Sequence, residues 1–239
     1  MKNKILIILF CSIFLLTKVS AENILIQAKN ISFDKDKVTS VFENDVVIKS
    51  KEKTIKSDYV KYNKETGYLL IKNNITVYDN NNNVIKADYA EYFEKDKILR
   101  TTGFTTVTTS ENYFLEGSDI TVDSSKKIIN SNTNSIIKDQ DGNKISLENF
   151  EYLSEENIFK SIGLVKVEDK IKNIYEFSQV YIDTKKKEVL GTDIKSYLNS
   201  QNFKSNTKNN PRIFANSVSL SKEKSSFNKS VFTICEYRK

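Results

Sequence analysis

The residues of this chain that could do chemistry are few, and they repeat. Asp58 and Asp88 lie thirty positions apart in matching contexts, Ile55-Lys56-Ser57-Asp58-Tyr59 and Ile85-Lys86-Ala87-Asp88-Tyr89. A carboxylate that recurs with a repeat suits a structural corner better than a singular active site. There is no histidine in the 239 residues. That removes the commonest general base, the commonest zinc and haem ligand, and every Ser-His-Asp or Cys-His arrangement. No phosphate-binding loop, nucleophile elbow or metal cluster is present in the sequence. Asp139-Gln140-Asp141-Gly142-Asn143 faintly resembles a calcium loop, but the twelfth place, which needs a bidentate Glu, holds Phe150. It reads as a tight turn. The chain is expected to be no enzyme and to use no cofactor and no metal.

What positions these residues is an internal repeat, and a period of 20–50 residues decides the fold before anything else does. Five columns stay apolar or aromatic at a spacing of thirty, apart from the small Ala90. They are Val60, Ala90, Ile120, Phe150, Val180; Tyr62, Tyr92, Val122, Tyr152, Ile182; Leu69, Leu99, Ile129, Phe159, Val189; Val77, Val107, Ile137, Val167, Tyr197; and Ile55, Ile85, Leu115, Ile145, Tyr175. A slightly short first copy spans Glu22 to Ser50. A polar insertion, Asn199 to Asn210, displaces the last copy, which Pro211 opens.

Polar turn signals fall about every fifteen residues, twice per repeat, and are built from the Asp, Asn, Ser and Gly that tolerate left-handed and Asx turns. Between them, alternating Val, Ile, Tyr, Phe and Thr predict strands. Loops of three to five residues join antiparallel neighbours and are too short for helical crossovers. Within each copy the alternation slips: Ile55 and Ser57 share one parity, Val60 and Tyr62 the other, with Asp58-Tyr59 between them. A one-residue slip turns side chains to the opposite face unless a bulge or corner restores them. A bend in every strand is therefore expected. The fold class is all-β: an antiparallel bent-strand β-jellyroll, shaped as a trough with an apolar interior. A parallel β-solenoid serving as an adhesin or structural module shares the period and is the alternative.

Met1 to Ala21 reads as a secretory signal peptide, with Lys2 and Lys4 as its basic start, an apolar run from Ile5 to Leu16, and cleavage after Val19-Ser20-Ala21. The run falls short of the ~20 residues that span a bilayer. Cys11 leaves with it, and Cys235 remains as an odd thiol, a disulfide candidate. The formal charge of +6 includes Lys2, Lys4 and Lys18, so the mature chain keeps 34 basic against 31 acidic residues, about +3. That is too weak for a nucleic-acid footprint, and no nucleic-acid partner is expected. It remains compatible with an anionic lipid headgroup.

The Ile85-Lys86-Ala87-Asp88 to Tyr92 unit alternates with Asn44-Asp45-Val46 and Gly163-Leu164-Val165, and copy four opens Phe114-Leu115-Glu116-Gly117-Ser118-Asp119. This resembles the OstA-like domain of the LptA/LptD lipopolysaccharide transport family, over about Glu22 to Leu220. Departures are Ser57 for the small Ala, and Ser118, Glu148 and Ser178 where the motif has Asp. Phe232-Thr233-x-Cys235 is similar to the segment where the outer-membrane member leaves its periplasmic domain for its β-barrel, and where a Cys joins a disulfide. The expected organisation is thus signal peptide 1–21, OstA-like domain 22–220, and a segment 221–239 leading toward a barrel that does not follow, as in a fragment.

The resemblance implies an exported, periplasmic protein associated with the outer membrane, holding lipopolysaccharide acyl chains in the trough. The soluble LptA-like bridge is the alternative. Lining candidates are Val60, Tyr62, Leu69, Val77, Ala90, Tyr92, Leu99, Val107, Ile120 and Ile129. The implied partners are lipopolysaccharide, an LptA-type bridge protein paired to the Ile24–Phe33 edge, and, at full length, the barrel and its lipoprotein partner.

Overall fold

The computed structural model describes residues 24–35, 37–203 and 210–234. The leader and Cys235 lie outside them. Nineteen strands form among the described residues. They are β1 (Leu25–Gln27), β2 (Asn30–Phe33), β3 (Thr39–Lys49), β4 (Lys53–Asn63), β5 (Tyr68–Asp79), β6 (Val84–Phe93), β7 (Ile98–Thr101), β8 (Phe104–Thr108), β9 (Phe114–Ser118) and β10 (Thr121–Asp123). Then come β11 (Ile128–Ser131), β12 (Ser135–Lys138), β13 (Lys144–Leu147), β14 (Phe150–Leu153), β15 (Ile158–Glu168), β16 (Ile174–Asp183), β17 (Glu188–Tyr197), β18 (Arg212–Leu220) and β19 (Ser225–Thr233). The one helix among these residues is a 3-10 turn, Ser200–Phe203, in the insertion.

All the strands join one antiparallel sheet folded along its middle. Lys53–Lys56 pair with Thr76–Asp79 in one wall, and Tyr59–Asn63 with Tyr68–Lys72 in the other. β6 likewise gives Val84–Ala87 to β8 and Ala90–Phe93 to β7. Antiparallel pairing excludes the parallel solenoid. The sheet also continues past residue 220, because β19 pairs with β18 from Ser225 to Thr233.

The parity slip falls where the alternation puts it: Ser57 and Val60 are buried, with the more exposed Asp58 and Tyr59 between them. The residue that makes the corner, however, sits on the neighbouring strand. Between Lys56 and Tyr59 the partner strand β5 runs one residue longer, and its Asn73 and Asn74 take φ of 64° and 52°. Asn44 and Asp45 do the same in β3. Asn73, Gly103, Gly163 and Asp193 form a positive-φ column at the repeat spacing, filled by the residue types that tolerate that conformation. At Gly163, φ is 114°, and an added Cβ would meet Glu148 Oε2 at 2.5 Å. Only glycine fits there.

The two walls face each other across the core. Tyr113 from the first wall lies 6.2 Å from Phe159 of the second, and Phe159 stacks on Tyr152 at 4.4 Å between ring centroids. The columns point inward with one exception. Ser196, opposite Tyr175, takes the core-facing place, so Tyr197 faces the other way. The β16–β17 pairing steps evenly across its middle, three residues against three. Without an extra residue in β17, the column arrives one position early.

Candidate functional site

The free ends of the two walls meet along a lateral seam made of turns. Three of the first-wall turns share one design. Asp79, Asp139 and Asp169 each accept through Oδ1 the amides two and four residues on, at 2.8–2.9 Å or 3.0 Å, and bind the Asn side chain at the fourth place through Oδ2. Asp139 thus spends both oxygens on its own turn, as the tight-turn reading requires. Second-wall turns place Gly67, Lys97, Lys127, Asn157 and Lys187 at positive φ, again thirty apart.

That second column supplies partners across the seam. Lys97 Nζ reaches Glu52 Oε1 at 2.7 Å, Ser110 Oγ donates to Asn157 Oδ1 at 3.4 Å, and Lys187 Nζ reaches Asp141 Oδ2 at 2.8 Å. Asn81 Nδ2 adds a bond to Ser154 Oγ at 2.9 Å. Behind the first of these, Lys53 is 3 % exposed and its Nζ sits 4.7 Å from the centre of the Tyr92 ring. Burial is the main cause that pushes its pKa down to about 8, against the nearby Glu52 and Asp79 carboxylates. A buried ammonium is costly unless paired, and here a ring face supplies part of the compensation.

The seam is not uniform. Around Asp79, Asn81, Asp123, Lys127 and Ser154 the space left is about 20 Å³, room for about one water. Toward the C-terminal end it widens to a cleft of about 490 Å³ between the walls. Ile145, Val167 and Tyr113 line it from the first wall, Ile182, Val189 and Leu220 from the second. Asp139, Asp141, Lys170, Lys187 and Lys222 stand at its mouth. Burial is the main influence that raises the Tyr113 phenol to about 12, helped by Asp139 and Asp141, so it stays protonated at neutral pH. Lys187 holds the Asp141 carboxyl below its usual range.

The ten lining candidates all face inward, but they build a packed interior. Val60, Leu69, Val77, Ala90, Tyr92, Leu99, Val107, Ile120 and Ile129 are each 2 % exposed or less. Tyr62 is half-buried against the same cluster and donates its hydroxyl to Glu94 Oε2 at 3.2 Å. The open cleft instead uses the fifth- and sixth-copy members of the same columns, Ile145, Val167, Ile182 and Val189. Sequence reasoning also missed the seam. Its signal was legible: Lys97, Lys127 and Lys187 recur at thirty and sixty residues in turn positions.

Residues 25–128 match the family model described as LptA/(LptD N-terminal domain) LPS transport protein. That stretch is similar to LptA/LptD-type domains. It is somewhat under half of the chain, and the repeat continues beyond it with the same turn chemistry at Asp139 and Asp169. Among solved structures, the chain resembles LptH of Pseudomonas aeruginosa, the LptA-homologous periplasmic component of a conserved lipopolysaccharide transport device. The identity is 15%, the TM-score 0.23, and the match covers 72% of this chain and 82% of that one. The fold itself is defined by the strand pairing above. A search of curated proteins returned no match.

Proposed function

We propose that the protein carries lipopolysaccharide by its acyl chains, seated between the two walls, while sugars and phosphates stay in water. The observation that carries this is the C-terminal cleft, apolar on both walls and ringed by Lys170, Lys187 and Lys222. An acyl chain crossing an aqueous compartment gains about 0.8 kcal/mol for each methylene it buries, and lysines at the rim suit a phosphorylated headgroup. The chain acts as a non-enzymatic carrier, exported to the periplasm and working toward the outer membrane. The test is lipid A binding to residues 22–239 by tryptophan-free fluorescence displacement or calorimetry. Saturable binding that Val189→Asp weakens at least tenfold supports the reading; no binding by the folded protein overturns it.

The end strands serve assembly. β1 and β2 pair only with β3 among the described strands, and Ile31 and Phe33 on the core-facing side stay 50 % and 68 % exposed. An open edge backed by apolar side chains is a template for strand addition, and an LptA-type bridge protein fits it. Photocrosslinking from position 32 should trap that partner, and deletion of residues 24–33 should abolish the product. An unchanged product would defeat this docking site. A second reading, that the protein is itself a soluble bridge, is favoured by the opposite end, where β19 leaves Phe232 60 % exposed. Both ends then accept a neighbour.

A further inference from the structure

The seam that closes the two walls grades from dry and latched to wet and open. Glu52–Lys97 is the drier ion pair, with side-chain exposures of 15% and 33%, whereas Asp141 and Lys187 are 51% and 53% exposed. One turn further along, Lys170 from the first wall and Lys222 from the second line the same cleft, and both add to the pull of Lys187 that holds the Asp141 carboxyl down. Two cations cannot latch a seam to each other. The cleft of about 490 Å³ lies at this end of the seam. Among the described seam contacts Asp141–Lys187 is the one that stands at the cleft itself, and its exposure makes it the weaker of the two ion pairs, since pairs of this kind contribute only ~0.2–1 kcal/mol.

Resting on the acyl-chain reading, we propose that the Asp141–Lys187 pair is a lateral gate that an anionic amphiphile opens for itself. The anionic headgroup takes Lys187 away from Asp141, with Lys170 and Lys222 as neighbouring cations, and the freed edge admits the chain between Val189 and Ile145. Asp141 suits this role because its carboxylate bonds to Lys187 and takes no part in its own turn, which Asp139 holds. The gate breaks without cost to the turn. Glu52–Lys97, Asn81–Ser154 and Ser110–Asn157 then mark where the seam must part further for a chain to travel toward the N-terminal end.

The test compares dodecyl phosphate with dodecyl maltoside, each below its micelle-forming concentration, on residues 22–239 in a Cys235→Ser background. Wild type should bind the phosphate more tightly. Asp141→Asn should raise maltoside affinity about two- to fivefold, the release of one exposed pair, and raise phosphate affinity at least as much, because a like charge beside the headgroup is removed with it. Lys187→Met should narrow the preference for the phosphate probe, leaving only what Lys170 and Lys222 supply. Circular dichroism and thermal melting establish that both variants fold, since both positions lie in solvent-exposed turns. Equal affinity of the two probes for wild type, or maltoside affinity unchanged by Asp141→Asn, overturns the gate while leaving the carrier reading intact. Failure of every folded variant to bind either probe overturns both.

Discussion

The two stretches of the seam share one repeat and one set of turns, yet one is shut and the other open. In the N-terminal stretch Tyr92, Leu99 and Val122 fill the space between walls, and Lys97 pairs with Glu52 over it. In the C-terminal stretch the corresponding columns hold Ile182 and Val189, and Lys170 and Lys222 line the same opening. The difference teaches that a bent-strand repeat makes neither a core nor a cleft by itself. Side-chain volume inside and charge pairing at the rim decide which one forms. A packed interior gives stability, and a gap gives somewhere for a guest to go.

The sharpest way to break that comparison is to truncate one large side chain on each side of it. Phe159 touches Tyr113, Phe150 and Tyr152 with ring centroids 4.4–6.2 Å away. Phe159→Ala should cost about 3–5 kcal/mol of stability. Leu220→Ala, at the half-buried lip of the cleft, should cost about 1 kcal/mol or less, because water already reaches that site. Urea titration of both variants checks this, and equal losses would mean that the cleft is as tightly packed as the core.

A smaller effect sharpens the same contrast through Lys53. Its folded pKa of about 8 lies below the ordinary 10.5. Between those two values the unfolded chain holds a proton that the folded chain has released, so stability rises with pH across that window. Below about pH 8 both states carry the charge and the full penalty applies, about 3 kcal/mol at most for a shift of this size. Lys53→Met should therefore stabilise the protein at pH 7 and flatten its stability between pH 8 and 10. Tyrosines confine the comparison to below pH 10, and the difference between variant and wild type isolates Lys53. If the variant is no more stable at pH 7, the buried ammonium has compensation beyond the Tyr92 ring.

Much of this molecule was legible in its residues. The thirty-residue columns placed the inward faces of the strands correctly, and the parity change at Asp58-Tyr59 located the fold line. Both features are local: a strand alternates with period two whatever it later packs against. The bulge was harder to read. Asn73 and Asn74 lie on the strand next to the one that shows the slip, and only pairing reveals which of two neighbours carries the extra residue. Tyr197 misled for the same reason, since the column assumed a bulge in β17 that the pairing of Glu176–Gln179 with Thr192–Lys195 does not contain. Pairing also shows that Ser225 to Thr233, within the expected C-terminal segment, add one more strand beside β18.

The sequence alone determined the period, the strands, the inward faces and the turn chemistry, because each follows from residues within a dozen positions of one another. It did not determine where the interior is full and where it is empty. That depends on which turn of one wall meets which turn of the other, forty-five residues away for Glu52 and Lys97 and forty-six for Asp141 and Lys187. The twist of the folded sheet sets that offset. Only the tertiary structure could bring Lys170 and Lys222 to one mouth and leave the walls apart between them.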